Sequence, residues 1–345
     1  MRWIRGWASV AQSANSFVKR RTAILAACGS GLALACGFRA WRCERTPRTT
    51  LGSEEIKRVE QTLADCRLAL YDKVGSDSTT LELAHAVMAG RMRGRAAWCA
   101  ELARRSLAGP RASWLVRDGT TVHTRCDPRF GEAHPGQLIA YLAGALELPA
   151  SEGGNLSGWK SILAGTISVT PLDRAELGHL IQAVVMLGPN EEWPTQSGQA
   201  VTLDKLIERL ADSPPDASVC WGIHAAIAAV DALKAKSSGW SGGPGAEALV
   251  RAVVGPHAEG FSESSPAFRL DQAYASSPSD LASYVGHVLE LLAACRGTRW
   301  LRVDRAHVDQ AVADVIPRLG SAGAWSAAAS SHLHRGLQLW LYEVP

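Results

Sequence analysis

The pentapeptide Cys220-Trp221-Gly222-Ile223-His224 sets a thiol and an imidazole four residues apart. On a helix, positions i and i+4 share a face, so the pair could hold one transition ion. Zinc accepts both donor types, and His287 is the expected third ligand, with His134 and His179 as alternates. The same pair could form a thiolate nucleophile with its base, although no orienting acid stands near it in the sequence. The bland alternative makes Cys220 a packing residue, crowded by Trp221 and Ile223, and leaves only His224 facing an opening. No P-loop, GxGxxG after a strand, HExxH or GxSxG occurs in the chain. No cofactor is therefore expected, zinc being the alternative, and whether the protein is an enzyme stays open.

His224 is one of six histidines in similar settings. The boxes are ELAHAVMAG at His85, EAHPGQLIAYLA at His134, ELGHLIQAVVML at His179, CWGIHAAIAAV at His224, YVGHVLELLAA at His287 and SSHLHRGLQLWL at His332. Subtraction gives spacings of 49, 45, 45, 63 and 45 residues; the 63 is a 45 carrying an insertion, SSGWSGGPG. Near-constant spacing marks an internal repeat. Glu290, three residues after His287, could orient that ring or act as a general acid. His332 and His334 flank one position and cannot share a helical face, so one of them at most joins the set. The expected ligand-binding mouth is thus His134, His179, His224, His287, Glu290 and His332. Repeated histidines can also serve packing, by hydrogen bonding orphan backbone groups at inter-helix turns.

Helical periodicity must position these groups, since no apolar alternation lasts long enough to build a sheet. SEEIKRVEQTLADCRLALYDKV, residues 53 to 74, reads as an amphipathic helix capped by Ser53. Thr79 with Glu82 and Asp173 with Glu176 form capping boxes, while Pro135 and Pro278 suit first helical positions. Between boxes lies room for one more helix each time: GWKSILAGTI, TLDKLIERLA, GAEALVRAVV and DRAHVDQAVADVIPRL. A repeat therefore equals one helical hairpin. About six such hairpins predict an all-α fold, an α/α toroid with the histidines in early turns at one mouth, the alternative being an open α-solenoid.

At 345 residues with 47% hydrophobic content the chain can bury a substantial core. Its first 43 residues hold seven Lys or Arg and no acid; removal of residues 1–35 takes five charges and turns +3 into −2. A nucleic-acid partner is not expected from that balance. TAILAACGSGLALACGF, residues 22 to 38, follows Lys19-Arg20-Arg21 and reads as an export signal or membrane anchor. The expected organisation is a basic segment over 1–21, a signal or anchor over 22–38, a linker over 39–51 and the toroid over 52–345. Eight cysteines without a CxxC pair exclude a zinc ribbon, and export would permit one or two disulfides.

HPGQLIAYLA, Cys220-x-x-x-His224, GHVLELL and HLHRGLQLW together resemble a family of uncharacterised bacterial exported proteins, over about residues 110 to 345. The resemblance implies export and a fold similar to the terpenoid cyclase and protein prenyltransferase toroids, with GFSES at 260–264 resembling their Gly-aromatic turn. No DxDD motif accompanies it. The expected function is an envelope protein, exported or membrane-anchored with its C-terminal domain outside the cytoplasm. Its partners would be the membrane, through the N-terminus, and a peptide, glycan or lipid in the mouth; Trp221 and Trp340 could line a sugar or isoprenoid cleft, although core packing is the expected job for most of the tryptophans. The alternative is a metal-dependent toroid enzyme similar to lanthionine cyclases or prenyltransferases.

Overall fold

Apolar residues at helical spacing recur through the chain, and the computed structural model turns them into helices. It describes residues 47–90, 94–107, 113–146, 155–172, 176–212, 220–236, 239–259, 267–270, 276–296, 298 and 303–342. The signal or anchor expected at 22–38 lies outside these residues, as do the Asp173 cap and the GFSES turn. Among the described residues no helix is long and apolar enough to cross a membrane.

The helices are α1 (Ser53–Lys73), α2 (Thr80–Met88), α3 (Arg95–Ser106), α4 (Gln137–Leu142), α5 (Asn155–Val169) and α6 (Gly178–Leu187). They continue as α7 (Leu203–Asp212), α8 (Ile223–Ala235), α9 (Gly243–Val254), α10 (Pro278–Cys295), α11 (Arg305–Val315) and α12 (Ala327–Tyr342). The only pairing among described strands is in three antiparallel hairpins: β1 (Leu115–Asp118) with β2 (Thr121–Thr124), β3 (Trp193–Pro194) with β4 (Ala200–Val201), and β5 (Ala258–Glu259) with β6 (Ala267–Phe268). The fold is all-α, and all four helices expected between boxes are present as α5, α7, α9 and α11.

Local chemistry explains several boundaries and corrects others. Thr79 accepts from the Glu82 backbone N–H while the Glu82 carboxylate accepts from the Thr79 N–H, and Ser277 caps α10 with Pro278 in its first turn. Ser53 is not the cap of α1: Gly52 holds that position, its N–H donating to Glu55 Oε2 at 2.7 Å. Pro135 does not begin a helix either. Gly136, at φ 79°, turns the chain first, and α4 starts at Gln137.

The helices of the six boxes follow a cyclic order of packing. α2 packs on α4, α4 on α6, α6 on α8, α8 on α10, α10 on α12, and α12 on α2. Glycines set how closely these helices approach. A β-carbon on Gly136 would lie 2.8 Å from Leu180 Cα, one on Gly178 3.0 Å from the His224 carbonyl carbon, and one on Gly286 2.3 Å from that of His332. Each glycine therefore touches the next helix at or beside its histidine, so neighbouring box helices approach closely at the histidine level. The outer helices cover this layer, α3 on α2, α5 on α6, α7 on α6 and α8, α9 on α8, and α1 on α12.

The compact unit begins at Arg48, before the expected start at residue 52. The reason is Asp309, which is fully buried on α11. Its Oδ2 accepts from Thr49 Oγ1 at 2.8 Å, Thr50 N at 2.7 Å and Thr50 Oγ1 at 3.0 Å, and its Oδ1 from Trp340 Nε1 at 2.8 Å.

Candidate functional site: a buried imidazole layer

Histidines on neighbouring helices, each beside a point of close approach, must converge. Ring centroids lie 4.0 Å apart for His179 and His224, 4.8 Å for His224 and His287, 3.7 Å for His287 and His332, and 5.3 Å for His332 and His85. Tyr141 bridges the other side, 5.2 Å from His85 and 5.3 Å from His179. His134 joins from outside its helix, half-buried in the turn before α4 and 5.8 Å from His179. All six box histidines are thus brought to one layer. Not all lie in early turns: His287 is halfway along α10, whose longer N-terminal part carries it to the same level.

The layer is a buried plug rather than the open mouth expected. His85, His179, His224, His287 and His332 are all buried, and of the six only His224 reaches the wall of the central cavity. Depth along a helix depends on how far each hairpin slides against the next, which periodicity does not report.

Hydrogen bonds fix most of the rings. His85 Nδ1 lies 2.8 Å from the Leu81 carbonyl and His287 Nδ1 2.7 Å from that of Ser283, so both rings carry the proton on Nδ1. His332 Nδ1 meets Glu290 Oε1 at 2.9 Å. Glu290 accordingly orients His332, not the His287 three residues before it. His287 Nε2, left with its lone pair, lies 3.1 Å from His224 Nε2. Among the described residues neither nitrogen of His179 makes a hydrogen bond of regular geometry, with the Gln182 amide as its polar neighbour.

Desolvation governs the charges here. Burial lowers His85 and His287 to about 4, and His179, His224 and His332 are pushed well below the usual imidazole range by burial and then by neighbouring histidines of the layer. Burial likewise raises Glu290 to about 7. The layer is therefore a set of neutral imidazoles near pH 7.

Cys220 reaches the layer by an unexpected route. α8 begins at Ile223, so Cys220 and His224 are not on one helical face. Cys220, Trp221 and Gly222 instead form a left-handed turn with φ of 46°, 55° and 71°. Two consecutive non-glycine residues in that region carry a conformational cost, and such strain concentrates at functional sites. The Trp221 ring is wedged edge-on against Tyr284 at 5.1 Å and His287 at 5.7 Å. His257 lies below it, Nε2 3.3 Å from the Trp221 carbonyl and Nδ1 3.1 Å from Tyr284 Oη. The turn brings Cys220 Sγ, a nitrogen of His224 and one of His287 within 4.8 Å of one another.

This donor set suits a borderline transition ion. Tetrahedral zinc separates two ligand nitrogens by about 3.3 Å and nitrogen from sulfur by about 3.6 Å. The imidazole pair already has that bite, and the sulfur would need to close in by roughly 1 Å. The nucleophile reading fares worse, because burial and the Glu176 and Glu290 carboxylates push the Cys220 thiol up to about 12. Without a cation the sulfur stays protonated.

Several residues play parts that the sequence did not indicate. Glu132, fully buried, accepts from Gly136 N at 2.9 Å, Leu138 N at 2.8 Å and Thr124 Oγ1 at 2.6 Å, and so holds the His134 turn in place. His334 faces away from the layer, with Nδ1 donating to the Ala89 carbonyl at 2.9 Å and Nε2 accepting from Arg67 Nε at 3.0 Å. Trp340 is buried against Asp309, and neither it nor Trp221 lines the cavity; of the two expected roles, core packing and cleft wall, both take the first. None of the described cysteines, Cys66, Cys99, Cys126, Cys220 and Cys295, is in a disulfide. No protein-family model matches the chain, and no curated protein or solved structure matches it.

Proposed function

We propose that the protein binds a transition-metal ion, zinc by its donor chemistry, through Cys220, His224 and His287, inside an α/α toroid of the cell envelope. The contact between His224 Nε2 and His287 Nε2 at 3.1 Å carries this reading. His287 has spent its proton on the Ser283 carbonyl, and a ligating imidazole characteristically anchors its second nitrogen in this way. The toroid is supported by the cyclic packing order of the six box helices. Export or anchoring through residues 22–38 rests on the basic approach and apolar run of that segment.

The test is to strip the folded full chain with a chelator, reload it with zinc or cobalt, and measure ions retained. About one ion per chain is expected. Cobalt should give a sulfur-to-metal absorption band that Cys220→Ser abolishes, while His287→Ala should remove retention altogether. A well-folded protein that retains no ion would end the proposal. Envelope localisation is tested separately, by a C-terminal reporter that is active only in the cytoplasm if the expectation is wrong.

A further inference from the structure

Above the imidazole layer the box helices enclose a cavity of about 790 Å³, within the size range of small-molecule sites. Its walls run from His224 and Glu290 along the helices to Lys234, Arg296 and Leu339 near their C-terminal ends. The wall between is mixed, with an aliphatic strip of Val185, Met186 and Ile227, the polar Gln182 and Asp231, and Tyr141 as its one phenyl ring among those described.

The charged groups on this wall are unequally satisfied. Arg296 is committed, its guanidinium donating to the Trp340 carbonyl at 2.6 Å and stacking on the Trp340 ring. Glu290 is engaged by His332, and Asp231 accepts from the Gln182 amide at 3.4 Å. Arg335 differs. It is half-buried, its nearest acid atom is Glu290 Oε2 at 3.9 Å, and it makes no hydrogen bond to any described residue. A guanidinium presents five donors in a planar fork that matches a carboxylate, and this one, about 40% exposed at the open side of the cavity, keeps those donors available to a bound anion. Lys234 adds a second cation at the rim.

We propose that this cavity binds an aliphatic monocarboxylate, its carboxylate on Arg335 with Lys234 at the rim and its hydrocarbon body against Val185, Met186, Ile227 and Leu339. A sugar is disfavoured because the wall offers Tyr141 alone among the described residues as a platform for a sugar face, and Arg296, Glu290 and Asp231 are already engaged. The proposal goes beyond the metal reading and does not depend on it: His224 borders the cavity floor, but Arg335, Lys234 and the aliphatic strip that hold the carboxylate and its chain are not metal donors.

Calorimetry with decanoate, decanol, decylammonium and acetate on the full chain tests this. Decanoate should bind and raise the melting temperature, with each of the other three at least tenfold weaker. Arg335→Gln should weaken decanoate at least tenfold with unchanged circular dichroism, and Arg335→Lys should recover part of the loss. Decanol binding as tightly as decanoate would overturn the carboxylate assignment, and acetate doing so would overturn the aliphatic one. Absence of decanoate binding, or an unaffected Arg335→Gln variant, would overturn the proposal as a whole. The His287→Ala protein should bind decanoate normally whether or not it retains metal, so the two proposals fail separately.

Discussion

Gly286 on α10 lies so close to His332 on α12 that a β-carbon there would sit 2.3 Å from the His332 carbonyl carbon and 2.4 Å from the Leu333 nitrogen. Gly336 returns the contact one turn along, with its own absent β-carbon 2.4 Å from the Gly286 oxygen. Two glycines thus let two helices meet backbone to backbone, and the His287 and His332 rings stack at 3.7 Å as a result.

Gly286→Ala should therefore be strongly destabilising. Overpacking typically costs about 1–3 kcal/mol, and here the obstacle is backbone on both sides, which places the change at the upper end. Gly144→Ala is the control, since a β-carbon there would meet nothing within 4 Å and little loss is expected. Urea midpoints of the two variants decide the matter; equal midpoints would show that α10 and α12 can separate freely.

Asp309 ties the start of the compact unit to its last helix through Thr49, Thr50 and Trp340. Asp309→Ala should cost about 3–5 kcal/mol, the range for stripping a partner from a buried charged network, because it strands the Trp340 indole N–H and the Thr50 N–H together. Asp309→Asn, which keeps the shape and two acceptor lone pairs, should cost less. Thermal melts showing both variants at the wild-type midpoint would contradict this role.

Acid should unfold the protein earlier than its carboxylates alone require. His85, His287 and His334 are each lowered to about 4 by burial, against 6.5 in an unfolded chain. The folded state thus prefers the neutral ring. The stability this confers is complete above pH 6.5, is lost as pH falls from 6.5 towards 4, and changes little below that. Each ring contributes on the order of a few kcal/mol over the window. Denaturant titrations at pH 7, 6, 5 and 4 should show the steepest loss between 6 and 4, and His334→Gln, remote from the layer, should flatten part of it.

Much of this architecture is legible in the sequence because its signals are local. A hairpin length repeated between His134, His179 and His224 gives the helix count, and the Gly-His pairs at 178–179 and 286–287 mark where helices approach. The helical face expected for Cys220 and His224 fails because Gly222 licenses a left-handed turn that carries Cys220 and Trp221 with it, a choice enforced by contacts with Tyr284 and His287. The isolation of Arg335 and the support from His257 and Glu132 are properties of partners distant in sequence. No local pattern encodes them.

Proton positions in the layer give the last prediction. His287 Nδ1 faces a carbonyl, which can only accept, so His287 is protonated there and bare at Nε2. The 3.1 Å contact with His224 then requires the proton to sit on His224 Nε2 when no ion is present. Long-range ¹H–¹⁵N spectra should accordingly show a bare His287 Nε2 and a protonated His224 Nε2 in chelator-treated protein. Zinc should move the His224 proton to Nδ1, without net release from that ring, whereas Cys220, held near 12 by burial, must lose its proton to ligate. Calorimetry in buffers of different ionisation enthalpy should then report about one proton released per zinc at pH 7, falling to none in Cys220→Ala. A His287 ring found protonated at Nε2, or zinc uptake without proton release, would show that the ion binds elsewhere.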